Sequence, residues 1–143
     1  MDRVERERRL LQKVVGVAGG VPVAAGLFGV LFGPTLTGEA NISVSGDSHY
    51  RYLSGLLLGT GVLFWSSIPG IEAKTGRFQC LTLIVVAGGL ARLAGLALTG
   101  IPSLAMLGAL VMELLVTPVL CLWQARVARQ HRPALSLTAE PSP

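Results

Sequence analysis

Residues 14–33 read VVGVAGGVPVAAGLFGVLFG, twenty consecutive positions without a charged side chain. At about 1.5 Å of rise per residue, a helix of that length covers about 30 Å, the thickness of a bilayer's hydrocarbon core. A basic stretch precedes the run and Ala24-Ala25-Gly26 lies inside it, as in a secretory signal. The run nevertheless exceeds the hydrophobic region of such signals, so it reads as a retained span.

Working outward, Arg3, Arg6, Arg8, Arg9 and Lys13 stand before this run, and a polar loop from Pro34 to Ser48 follows it. A second span is predicted over about 50–68, ended by the breaker pair Pro69-Gly70 and the charged turn carrying Glu72, Lys74 and Arg77. A third covers 78–98 and meets the tight connection Thr99-Gly100-Ile101-Pro102-Ser103, where Ser103 is positioned to cap the next helix. The fourth covers 104–123. Gln124 to His131 then reads as a basic helical extension, and 133–143 as a disordered tail rich in Pro, Ser and Ala.

Composition agrees with this reading. The 143 residues suit one domain, and 14% charged against 51% hydrophobic is far below the roughly 25% charged of soluble domains. The net charge of +4 is split between clusters flanking apolar runs rather than gathered in one patch, which argues against nucleic acid as a partner and for membrane lipids. Ten of the 12 Lys and Arg lie in the N-terminal segment, the 69–77 loop and the C-terminal segment, and none lies in the first or third loop. The positive-inside rule then places both termini in the cytoplasm. The expected fold is all-α: an integral membrane four-helix bundle, multi-pass in the bacterial plasma (inner) membrane, over residues 1–132.

Membrane helices associate through small residues that let backbones come close. Gly55 and Gly59 in GxxxG spacing, and Gly88 and Gly95 on the third helix, are the packing candidates. Pro22 and Pro118 are expected to bend their helices.

Three charges fall within the predicted spans or at their outer edge: Arg51, Arg92 and Glu113. One such charge at mid-helix costs about 2.5–3.5 kcal/mol on insertion scales, so each needs a partner or water. A tight turn makes the third and fourth helices antiparallel neighbours, and an Arg92–Glu113 ion pair satisfies both charges at once. Arg51, beside His49 and Tyr50, would add a cation near the outer mouth. Two readings follow: a site for a small anionic or polar ligand, or a structural salt bridge that sets helix register. Cys80 and Cys121 match no redox or zinc spacing and read as packing cysteines; neither a metal site nor a cofactor is expected.

The stretches HYRYLSGLLLGTG, GGLARLAGLALTGIPS and the glutamate of LVMELL resemble a family of small four-helix bacterial membrane proteins known as domain of unknown function 4345. The likeness runs from His49 to Leu122 and falls on Arg51, Gly55, Gly59, Arg92, Gly100, Pro102, Ser103 and Glu113. It implies a four-helix bundle in the plasma membrane and no assigned activity. A looser likeness is to DoxX-like proteins, but the redox cysteine pair of a thiol role is missing.

No nucleophile with its base and no phosphate loop appears in the spans, so the chain reads as non-enzymatic. The leading expectation is a membrane protein that binds a ligand or lipid, or serves as an accessory subunit, alone, as a homodimer or in a larger complex. The alternative is a small oligomeric transporter or channel.

Overall fold

The computed structural model describes residues 3–37 and 42–137, with side chains through 35 in the first segment and through 131 in the second. The fold is all-α, with no strand among the described residues. Helix α1 spans Arg3–Phe32, α2 Val44–Ser67 and α3 Thr75–Thr99. The last helix, α4, runs as Leu104–Val111, a π-helical turn Met112–Val116, and Thr117–Leu137. Short 3₁₀ turns lie at Gly33–Thr37 and Ile71–Ala73.

Three helical stretches are long and apolar enough to cross a membrane: Arg3–Thr35, Thr75–Thr99 and Leu104–His131. The expectation of four such spans is thus met by three. At 24 residues α2 is long enough, but Asp47, His49 and Arg51, together with its serines and tyrosines, dilute its apolar content. The helix C-terminal to the last span is also longer than expected. Its backbone stays helical through Leu137, five residues into the segment read as a disordered tail, and 138–143 lie outside the described residues.

The chain packs as two units, residues 13–68 and residues 1–12 with 69–143. In the first, α1 and α2 form an antiparallel pair held by glycine contacts. A Cβ on Gly26 would lie 2.5 Å from Leu58 N and 2.7 Å from the Ser54 carbonyl oxygen, so here the two backbones touch. Gly61 sits against Val23 and Pro22, and the Trp65 indole donates to the Gly16 carbonyl at 2.9 Å. Helix α1 continues through Pro22, whose ring lies beside Gly61. At the start of α2, Ser43 accepts a capping bond from Gly46 N.

In the second unit, α3 and α4 are antiparallel, and the most deeply buried side chains lie at or beyond the ends of the apolar runs. Leu11, Ile71, Phe78, Gln124 and Val127 are each 1% exposed or less. They join the first turns of α1, the 71–73 turn and the C-terminal half of α4 into one cap. Gln124 donates through Nε2 to the Ile71 carbonyl at 2.7 Å and to Thr75 Oγ1 at 3.0 Å, which pins the turn to α4. Arg8 bridges Glu5 at 2.9 Å and Glu72 at 3.4 Å, while Arg9 also reaches Glu5.

Hydrogen bonds from Arg8 first, and then from Arg9, lower the Glu5 carboxyl to about 2. A depressed carboxyl supports the fold above its unfolded value and withdraws that support as pH falls through the native one. Glu5 is therefore expected to remain ionised at pH 4, with an NMR titration midpoint near 2 that moves toward 4.5 in Arg8→Gln. A native midpoint near 4.5 would refute the Glu5–Arg8 and Glu5–Arg9 contacts.

Candidate functional site

The charge pair expected between the third and fourth helices is formed. Arg92 Nε and Nη2 donate to Glu113 Oε2 and Oε1, each at 3.1 Å, in a two-pronged contact. Arg92 Nη1 lies 2.8 Å from Met106 Sδ, a third contact from the first turn of α4. The glutamate is the better covered partner, with a side chain 17% exposed against 35% for the arginine. The link ties two helices 21 residues apart in sequence.

Two local features bring the glutamate to this point. One is a glycine: a Cβ on Gly89 would lie 2.9 Å from Glu113 Cβ and 2.7 Å from Leu114 Cδ2, so α3 and α4 meet here because Gly89 has no side chain. The other is the π turn that contains Glu113. Pro118 has no N–H to donate and its ring would crowd the carbonyl four residues back. The helix widens just before it, and both the Thr117 N–H and its hydroxyl are taken up by the Met112 carbonyl. The expected proline effect thus takes the form of a π turn, an irregularity often associated with function.

Arg51 is engaged in residues 13–68, at the C-terminus of α1. Its Nε donates to Asp47 at 2.9 Å and its Nη1 to the carbonyls of Val30, at 2.5 Å, and Leu31, at 3.3 Å. A cation on the last carbonyls of a helix complements the dipole and satisfies acceptors that lack intrahelical partners. Gly33, at φ +63°, gives the guanidinium room, since a Cβ there would come within 2.6 Å of Arg51 Nη2. Arg51 thus acts as a helix cap in this unit. His49 lies in an open depression with Val44, Ser45, Ser48 and Tyr52.

Within the chain, the glycines expected to pack are not the ones in close contact. A Cβ on Gly59, Gly88 or Gly95 would meet no described atom within 4 Å, and on Gly55 only Val30 Cγ2 at 4.0 Å. Close contact falls instead on Gly26, Gly29, Gly61 and Gly89. Regular spacing marks a small face without saying which face meets a neighbour. Ser103 is likewise not a side-chain cap; its carbonyl accepts from Met106 N and Leu107 N. Asp47 was legible as an acid four residues before Arg51 on one helix. Met106 had no comparable signal.

Cys80 is exposed and Cys121 half-buried, both as free thiols. Among the described residues no group of three or more His, Cys, Asp or Glu is arranged to hold a metal ion.

No curated protein and no solved structure matches the chain. The likeness to DoxX-like proteins therefore has no counterpart among the matches. The family model described as "Domain of unknown function (DUF4345)" matches residues 10–124, from the cap segment of α1 through Gln124 and including Arg51, Gly89, Arg92 and Glu113. The chain belongs to the DUF4345 family.

Proposed function

We propose that this protein is a non-enzymatic accessory subunit of the bacterial plasma membrane, crossing it four times with both termini in the cytoplasm, and that it works by packing against other membrane helices. The observation that carries this reading is the bareness of its spans. In the most apolar windows of Thr75–Thr99 and Leu104–His131 only 17% and 6% of the residues are buried within the chain. Gly59, Gly88, Gly95 and Gly108 each leave open space of the kind that membrane helices use for close association.

The Arg92–Glu113 pair supports a structural role in such a subunit. Three nitrogens of its guanidinium are already engaged within the protein, so the pair holds the helix register while outer faces meet partners. The gathering of residues 3–12, the 71–73 turn and the C-terminal half of α4 in one cap supports a common side for the three basic segments.

Purification in mild detergent tests the assembly. A detergent-corrected mass above the 15.0 kDa of one chain is expected, as a multiple of it or with a second chain. A strict monomer across mild detergents overturns the accessory reading. Reporter fusions at both termini are expected to report the cytoplasm, and a periplasmic signal from either overturns the topology.

A further inference from the structure

The Arg92–Glu113 pair joins two helices and still has donors and acceptors to spare. A guanidinium carries five N–H groups and a carboxylate about four acceptor sites. Nε and Nη2 of Arg92 each donate one N–H to Glu113, and Nη1 donates one to Met106 Sδ. One N–H is left on each terminal nitrogen, and each carboxylate oxygen, holding a single hydrogen bond, keeps a lone pair. Neither side chain is sealed off, at 35% exposed for Arg92 and 17% for Glu113. On the membrane reading above, these leftover groups need partners that hydrocarbon does not supply.

The surface around the pair permits close approach. Gly88, Arg92 and Gly95 fall at i, i+4 and i+7, along one face of α3. A Cβ on Gly88 or Gly95 would meet no described atom within 4 Å, so Arg92 stands between two bare stretches of backbone. Gly89, against which α4 packs, is turned about 100° from Gly88. We propose that a second copy of this chain seats on this face, parallel to the first with Gly88 and Gly95 at the crossing, and that the free N–H groups of each Arg92 reach Glu113 of the other copy.

Charge complementarity selects this occupant. In a two-fold dimer one patch meets itself, so each copy receives the contact it gives. The two spare donors of one pair match the two spare acceptors of the other, and two arginines with two glutamates close a ring without net charge. An axis along the membrane normal keeps both pairs at one depth. An anion bound at a single pair would instead leave a net negative charge in the span, and an apolar helix would leave all four groups unmet. The polar site is thus completed only by the second chain. This inference rests on the accessory-subunit reading and names the partner that it leaves open.

Disulfide trapping of the full chain in native membranes tests the face. In a Cys80→Ser, Cys121→Ser background, Gly88→Cys and Gly95→Cys are expected to give an oxidised band at twice 15.0 kDa. Leu90→Cys, exposed but on the opposite side of α3, is expected to give about tenfold less, because its thiols lie out of bonding range. Arg92→Lys in the Gly88→Cys chain keeps the charge and gives up the fork, and about tenfold less trapping is expected. Gly88→Leu with Gly95→Leu enters space that is open within one chain, so the variant is expected to fold and to show the detergent-corrected mass of a single copy. Should Arg92→Lys fail to fold, the leucine pair decides. Equal trapping at Leu90→Cys, or a dimer that survives both leucines, overturns the proposal. A complex with a different chain and no second copy overturns it while leaving the accessory reading standing; a strict monomer removes both.

Discussion

Arg92→Ala is expected to destabilise the protein by about 3 kcal/mol, and Glu113→Ala by about as much, because each leaves the other charge without its two-pronged partner in a largely apolar setting. The glutamate variant removes the better covered group and strands Arg92 against Met106 Sδ alone. Since the two residues lose the same interaction, the double alanine variant should fall well short of the sum, with a coupling of about 2 kcal/mol. The charge-swapped variant Arg92→Glu with Glu113→Arg should recover part of the loss. It should not recover all of it, because Gly89 and the π turn are shaped for a glutamate on α4. Unfolding in mixed micelles measures all four variants, and single variants as stable as wild type would remove the pair from the fold's foundations.

The second large effect is steric and lies in the other unit. Gly26→Ala places a methyl 2.5 Å from Leu58 N and 2.8 Å from Leu58 Cα, where the neighbour is backbone and has no rotamer with which to yield. The helices must separate, at an expected loss of about 3 kcal/mol, the upper end of the usual range for overpacking. Gly59→Ala is the matched control. Its methyl meets no described atom within 4 Å, and alanine is the better helix former by about 1 kcal/mol, so it should be neutral or stabilising in the isolated chain. If Gly59→Ala instead breaks an oligomer while leaving the monomer folded, the open glycine face is the assembly face. If Gly26→Ala is neutral, the α1–α2 contact described above is wrong.

These two experiments separate what regular patterns reveal from what they leave open. Uncharged runs of about twenty residues and breaker pairs such as Pro69-Gly70 are local properties, set by chain geometry and by the cost of unpaired backbone groups in lipid. They mark helices without reference to neighbours. Boundaries are less local. Helix α1 begins at Arg3, well before the apolar run, and its first turns are tied to the 71–73 turn by Arg8–Glu72 and to α4 by Glu7–Arg126, contacts between segments more than fifty residues apart.

The Arg92–Glu113 pair was legible because a charge in an apolar span needs a partner, and only one opposite charge lay on the helix joined to it by a tight turn. Arg51 shows the limit of that reasoning. It also needed a partner, and Asp47 and the open carbonyls at the end of α1 supply it within its own unit.

By itself, the sequence of this protein determined the all-α class, the approximate helices and the identity of the Arg92–Glu113 pair, since these follow from hydropathy, turn chemistry and charge neutralisation along one chain. Only the tertiary structure decided that Gly26, Gly61 and Gly89, rather than the GxxxG pair, carry the close contacts, that Arg51 caps α1, and that Arg3 and Arg126 share Glu7. Those outcomes depend on which face of each helix turns toward its neighbour. A chain with small residues on several faces leaves that rotation open until the backbones meet.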